Sequence, residues 1–158
     1  MTAKILAIYT TAEAGTPLRA VTAATLESGK GLVGDRYYQG TGTFSKKLKD
    51  VSDWEITLIE TEEIQRFNDL EKTHFSAGDF RRNIVTSDVR LDELIGRRFA
   101  VGAAVLEGIR LCEPCAHLAK LVSPHVVKAM AHRAGLRARI VTGAVVRPGD
   151  PVGKPMGP

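Results

Sequence analysis

The sequence predicts a mainly β fold, a β-barrel of short strands with two or three inserted helices. Three observations carry this. Short strand-like apolar runs recur along the chain, and turns containing Gly or Pro separate them. Only two or three segments show helical periodicity. Those segments do not alternate regularly with the strands, which argues against a doubly wound α/β sheet. At 158 residues, 44% apolar and 25% charged, the chain supports a single domain over residues 1–158. A core of that size folds without disulfides or a structural metal.

Lys4–Tyr9 reads as the first strand and Arg19–Leu26 as the second, with Gly15-Thr16-Pro17 turning between them. Residues 29–47, GKGLVGDRYYQGTGTFSKK, form the longest irregular stretch. Loops of that length in compact domains carry function or motion. Trp54–Ile59 is a strand. Thr61 then opens an amphipathic helix to about Leu70, with Ile64 and Phe67 on one face and Glu62 and Glu63 at its positive end. Arg82–Thr86 reads as a short buried strand. Leu91, Leu94 and Ile95 make one helical turn closed by Gly96.

Phe99–Val101 and Val105–Leu111 predict a hairpin about Gly102. A helix starts after Cys115, over residues 116–121. Ser123 suits the N-cap and Pro124 the first turn of a further helix to about Arg133, with Gly135 just beyond. Leu136–Thr142 and Val145–Arg147 complete the strands. Pro148-Gly149-Asp150-Pro151 is a turn, and Gly153–Pro158 reads as a frayed tail.

Lysine and arginine outnumber the acids 22 to 18, a formal charge of +4, and the isoelectric point is about 9.2. This mild basicity admits an anionic ligand and falls short of a nucleic-acid footprint. No run reaches the roughly 18 apolar residues of a membrane span. The N-terminus lacks the longer apolar stretch and cleavage site of a secretory signal. The expectation is a cytoplasmic protein with neither nucleic-acid nor membrane partners. In a reducing compartment its cysteines are thiols or a transient disulfide.

Both cysteines lie in Cys112-Glu113-Pro114-Cys115, between a predicted strand and a predicted helix. Cys115 therefore falls at or near a helix start, where free backbone N–H groups favour a thiolate. A thiolate ligates a soft metal, carries sulfur or attacks an electrophile. The plain alternative is a small buried core residue. A structural zinc site would need two ligands beyond this pair, and there is no second Cys pair. A thioredoxin-like exchanger would place the pair after an early strand of an α/β fold, which is not the pattern here.

Four segments resemble the MOSC domain, the module also found at the C-terminus of molybdenum-cofactor sulfurases. They are Gly31-Leu32-Val33-Gly34-Asp35-Arg36, Ile56-Thr57-Leu58-Ile59-Glu60, and Arg81-Arg82-Asn83-Ile84-Val85-Thr86 continuing into Leu94-Ile95-Gly96-Arg97-Arg98-Phe99 and Val101-Gly102. The fourth is Leu111-Cys112-Glu113-Pro114-Cys115, with Gly149-Asp150-Pro151-Val152 closing the domain. Together they span residues 30–152. The resemblance implies a MOSC-type β-barrel and a role around the molybdenum cofactor. In the family a single cysteine carries sulfur as a persulfide or ligates molybdenum, and here it maps to Cys115. Members with proven activity reduce N-hydroxylated compounds with electrons from a partner flavoprotein or iron–sulfur protein. Some of them carry a His-Gly-Gly segment where this chain has Gln39-Gly40-Thr41-Gly42-Thr43, so the resemblance extends to the domain rather than to that reaction.

A pterin with a dithiolene and a phosphate needs a soft metal ligand, cations and polar edges. Under the resemblance Cys115 is the ligand or persulfide carrier, and Cys112 either resolves the persulfide or packs. Arg82 either pairs the phosphate or makes a salt bridge with Asp79 or Asp35. Asn83 either meets the pterin edge or satisfies neighbouring backbone. Arg36 is an anion contact and Asp35 orients it, or Asp35 closes a local turn. Ser45, Lys46 and Lys47 either reach the phosphate or form a solvated run. His117 either tunes Cys115 or is an ordinary surface residue. The implied partners are the phosphate-bearing pterin and an electron-donor or cofactor-acceptor protein. The rival function is a non-catalytic module that binds the cofactor or delivers it to another enzyme.

Overall fold

The computed structural model describes residues 2–48 and 54–156. The chain is mainly β. Its larger sheet holds eight strands, ordered β11-β7-β8-β9-β5-β6-β1-β2. In chain order these are β1 (Lys4–Thr10), β2 (Arg19–Val21), β5 (Ile56–Glu60), β6 (Ile84–Ser87), β7 (Arg98–Val101), β8 (Ala104–Leu111), β9 (Leu136–Thr142) and β11 (Val152–Pro155). A smaller sheet pairs β10 (Ala144–Val146) with β3 (Ala24–Glu27), and β3 with β4 (Gly31–Leu32). The helices are α1 (Ser45–Leu48), α2 (Thr61–Glu71), α3 (Ala116–Leu121) and α4 (Val126–Ala129). Among the described residues no helix is long and apolar enough to cross a membrane.

The predicted closed barrel is not formed. The large sheet curls until its ends approach, and among the described residues an isolated bridge between Lys4 and Pro151 joins them. Three flanking bonds, Ile5 N–H to Asp150 O, Gly149 N–H to Ile5 O and Val152 N–H to Ala3 O, do not extend it into a ladder. Most pairs are antiparallel, and β5 with β6 is parallel because α2 supplies the crossover.

The run Arg19–Leu26 is two strands rather than one. A bend at Thr22-Ala23 sends β2 to the large sheet and β3 to the small one. Arg82 and Asn83 precede β6, because Arg81 is left-handed at φ +64° and interrupts the extended chain. The helix expected to Arg133 keeps only one α turn, α4, although Ser123 Oγ does accept the His125 N–H. The tail is not frayed where it is described: β11 pairs with β7. Gly157 and Pro158 of that tail lie outside the described residues.

Strand alternation divides the core in two. Ile56 and Leu58 of β5 and Ile84 of β6 point into the curl with Leu136, Ala138 and Ile140. Ile59 and Val85 point the other way, onto Ile64 and Phe67 of α2, Leu118 of α3 and Val126 of α4. The second layer fixes α3, and with it Cys115, against the sheet.

Candidate functional site

The end of β8 and the start of β9 fasten the cysteine segment. Cys112 N–H donates to Gly135 O at 2.7 Å. Arg82 clamps the same segment from beneath. Its guanidinium donates to Cys112 O at 3.0 Å, Glu113 O at 3.4 Å, Ala134 O at 2.8 Å and Phe80 O at 3.2 Å. These partners are carbonyls, not the carboxylates of Asp79 or Asp35. Glu113 accepts the His132 N–H at 2.6 Å and faces His132 Nδ1 at 2.6 Å. Cys115 takes the N-cap position of α3, in extended conformation, and makes no side-chain capping bond. Both cysteines are free thiols, Cys112 buried and Cys115 half-buried.

Above this segment lies a cleft of about 290 Å³. Cys112 and Cys115 line it, with Arg36, Arg81, Arg82, Arg110 and Arg137. Among the described lining residues the only carboxylate is Glu113. Adjacent residues of a regular strand cannot both enter one pocket. Arg81 and Arg82 do so here because Arg81 is left-handed and stands before β6. On the far wall Thr57 of β5 lies opposite Arg137 of β9, which lies opposite Arg110 of β8. Two positions along β9, Arg139 faces Glu107 and pairs with it at 2.6 Å.

The remaining sequence candidates have distinct places. Arg36 lines the cleft, donates to Asp35 Oδ1 at 3.0 Å and to Arg81 O at 3.3 Å, and lies 4.9 Å over the Tyr37 ring. Asp35 is buried behind it and also accepts from Thr10 Oγ1, Thr11 N–H and Tyr37 N–H. Asn83 is outside the cleft lining. Its Oδ1 accepts Thr57 N–H and Oγ1, and its Nδ2 donates to Tyr9 O, so it ties β1 to β5. Lys46 is exposed on α1 and does not line the cleft, whereas Thr43 and Phe44 just before it do. The Lys47 side chain lies outside the described residues.

Sequence reasoning gave no site role to Arg81, Tyr37, Phe44, Thr57, Arg110 and Arg137, and left His117 between tuning Cys115 and an ordinary surface place. Arg137 carried a readable signal: it alternates with the core residues Leu136 and Ala138 and so belongs to the opposite face of β9. His117 instead lines the cleft with its Nε2 buried and without a hydrogen-bond partner. Burial lowers its pKa, and Arg81, Arg36 and Lys120 lower it further. The Arg81 pKa is also lowered, first by burial and then by Arg36. Its Nη1 donates to Thr16 O at 2.7 Å, while its Nη2 is buried and unpartnered.

Chemically the cleft joins a soft sulfur donor to a dense set of fixed guanidiniums, a combination suited to a metal-bearing anion. Among the described residues no three His, Cys, Asp or Glu side chains group as ligands for a metal ion, so a tetrahedral protein-only zinc site is not assembled from them.

The family model described as MOSC domain matches residues 45–153. Among solved structures, the YuaD protein from Bacillus subtilis superposes with a TM-score of 0.82 at 16% identity, over 96% of this chain and 94% of that one. YiiM from Geobacillus stearothermophilus gives 0.73 at 18% identity, over 98% and 75%. YiiM from Escherichia coli gives 0.72 at 17% identity, over 100% and 71%. At these identities the likeness is one of fold. No curated protein matches in sequence.

Proposed function

Because the chain belongs to the MOSC domain family, we propose that its arginine-lined cleft binds the molybdenum cofactor and that Cys115 is the thiol through which the protein acts on it. One observation carries this reading: Cys115 opens into the same cleft as Arg36, Arg110 and Arg137.

The residues fit the group. Cys115 would supply the soft ligand for molybdenum. Arg110 and Arg137 stand side by side on adjacent strands, suited to a phosphate. Arg36 adds charge and is held in orientation by Asp35. Arg82 and Asn83 would serve from behind, Arg82 by fixing the cysteine segment and Asn83 by joining β1 to β5. When bound, the cofactor supplies two-electron redox chemistry or an exchangeable sulfur. The partners proposed are this phosphate-bearing pterin and an electron-donor or cofactor-acceptor protein.

Sulfur carriage is the second reading, and one observation favours it: Cys112 lines the cleft alongside Cys115. A Cys115 persulfide attacked at its inner sulfur by Cys112 would give a Cys112–Cys115 disulfide and release hydrosulfide.

The test is molybdenum and pterin content per chain, after expression in a host that makes the cofactor, for wild type and Cys115→Ser. Near-stoichiometric molybdenum in wild type, lost in Cys115→Ser, is the expected result. Molybdenum in neither protein would sink the ligand reading and leave a persulfide carrier or a binding module.

A further inference from the structure

Two of the buried polar atoms without a partner, Arg81 Nη2 and His117 Nε2, belong to residues of the same cleft wall. A buried polar atom that finds no partner marks either strain or an incomplete site. The two groups are electrostatic neighbours, since Arg81 is the largest charge acting on His117. His117 follows Cys115 by two residues at the start of α3, and Arg81, His117 and Cys115 line the same cleft. Two other cations of the cleft already have acceptors. Arg36 has Asp35 and Arg82 has four carbonyls, while Arg81 uses only Nη1.

One aromatic side chain borders this corner. Phe44 lines the cleft and stands edge-on to His117, with ring centroids 6.3 Å apart. Thr41, Thr43 and Lys46 near it in the chain are exposed.

We infer that Arg81 and His117 form an oxyanion-recognition corner beside Cys115, bordered by Phe44, and that the substrate brought to this thiol carries an anionic oxygen such as a carboxylate. The inference rests on Cys115 being the reactive thiol proposed above. Arg81 supplies a charged donor whose reach is fixed by its own left-handed backbone and by Thr16. His117 supplies a second polar contact that sets the orientation of the oxygen. Neutral molecules of the same size gain neither contact.

The probes are iodoacetate and iodoacetamide, which differ in charge and both leave a carbon–sulfur bond as iodide departs. Rates at Cys115 are measured on the purified full chain by mass spectrometry and normalised to glutathione. Molybdenum content is determined on cofactor-loaded preparations of the same variants. Wild type should prefer iodoacetate by about ten-fold, the scale of one charge-assisted hydrogen bond. Arg81→Gln should bring the preference close to one and keep its molybdenum. Should Arg81→Gln fail to fold, Phe44→Ala decides: with both nitrogens in place it should accelerate iodoacetate more than iodoacetamide.

Three results would overturn the corner. They are no preference in wild type, a preference that survives Arg81→Gln, and equal acceleration of both reagents by Phe44→Ala. Loss of molybdenum in Arg81→Gln would assign the corner to the cofactor's own phosphate and overturn the substrate reading too. A clear iodoacetate preference in a wild type without molybdenum removes the cofactor reading and leaves the corner standing.

Discussion

Arg81, Arg82 and Asn83 are consecutive, polar and all more than nine-tenths buried, yet each meets a different need. Arg81 keeps an unused donor, Arg82 caps carbonyls, and Asn83 joins two strands. Removing Asn83 would strand the Thr57 N–H and the Tyr9 carbonyl at once. Asn83→Ala should therefore lower stability by about 2–4 kcal/mol in chemical denaturation. A loss under about 0.5 kcal/mol would mean that water replaces the amide. Glu60 gives a pH signature. Burial pushes its carboxyl up to about 6, against the pull of the Leu91 N–H and Arg90, and Glu63 and Glu62 push the same way as burial. The folded state holds the proton more tightly than the unfolded one. The resulting stability is complete below about pH 4.5 and is lost as pH rises through 6. Glu60→Gln should lack that loss, amounting to at most about 2 kcal/mol between pH 4.5 and 7. Parallel pH profiles for the two proteins would refute the assignment. Cys115 was legible at this scale because spacing alone put it at a strand-to-helix junction. His117 and Arg81 were not, because their orphaned atoms depend on packing across the fold. Phe44 comes from a loop more than seventy positions before His117.

The strand–loop–strand unit from β8 to β9 sets the cleft floor. A bulge between Gly108 and Arg110 re-aims the end of β8 so that Arg110 comes opposite Arg137. Gly135 holds the other end. It sits at φ +118°, its carbonyl receives the Cys112 N–H, and a Cβ there would collide with the Leu58 carbonyl oxygen. Backbone on backbone leaves nothing flexible to yield. Gly135→Ala should cost more than about 3 kcal/mol and should raise the reactivity of the buried Cys112 thiol toward iodoacetamide as the segment loosens. Unchanged stability and unchanged Cys112 labelling would show that the junction does not depend on this glycine. Elements such as α2 and the β7–β8 hairpin were readable because local periodicity and Gly102 decide them. The split between β2 and β3 was not, since both halves have the same composition and only their partners, β1 and β10, separate them. The same holds for β11: four residues with a proline become a strand because β7 offers an edge. Closure of the barrel is likewise a matter of how the sheet's ends meet, and composition does not report it.

Across the whole molecule a formal charge of +4 is small, but its distribution is uneven. Among the described residues, five arginines and one carboxylate line a single cleft, and that carboxylate is engaged by His132. Elsewhere cations meet acids, as at Arg139–Glu107, Arg133–Glu63 and Arg90–Asp92. Like charges brought together at a concave surface raise the local potential and cost folding energy that an anion relieves. A multivalent anion should therefore stabilise the protein even with no cofactor present. Pyrophosphate at a hundred times its Kd would add about 2.7 kcal/mol, a rise in Tm of about 5–10 °C for a domain of this size. Sodium chloride should shrink the effect, because the cleft is open to solvent and screening acts there. Arg137→Gln should cut the shift by more than half. Arg19→Gln, an exposed change on β2 outside the cleft lining, should leave it intact. Equal shifts in the two variants would mean that the anion responds to net charge alone. The cleft would then lose its standing as the place where this chain concentrates its field.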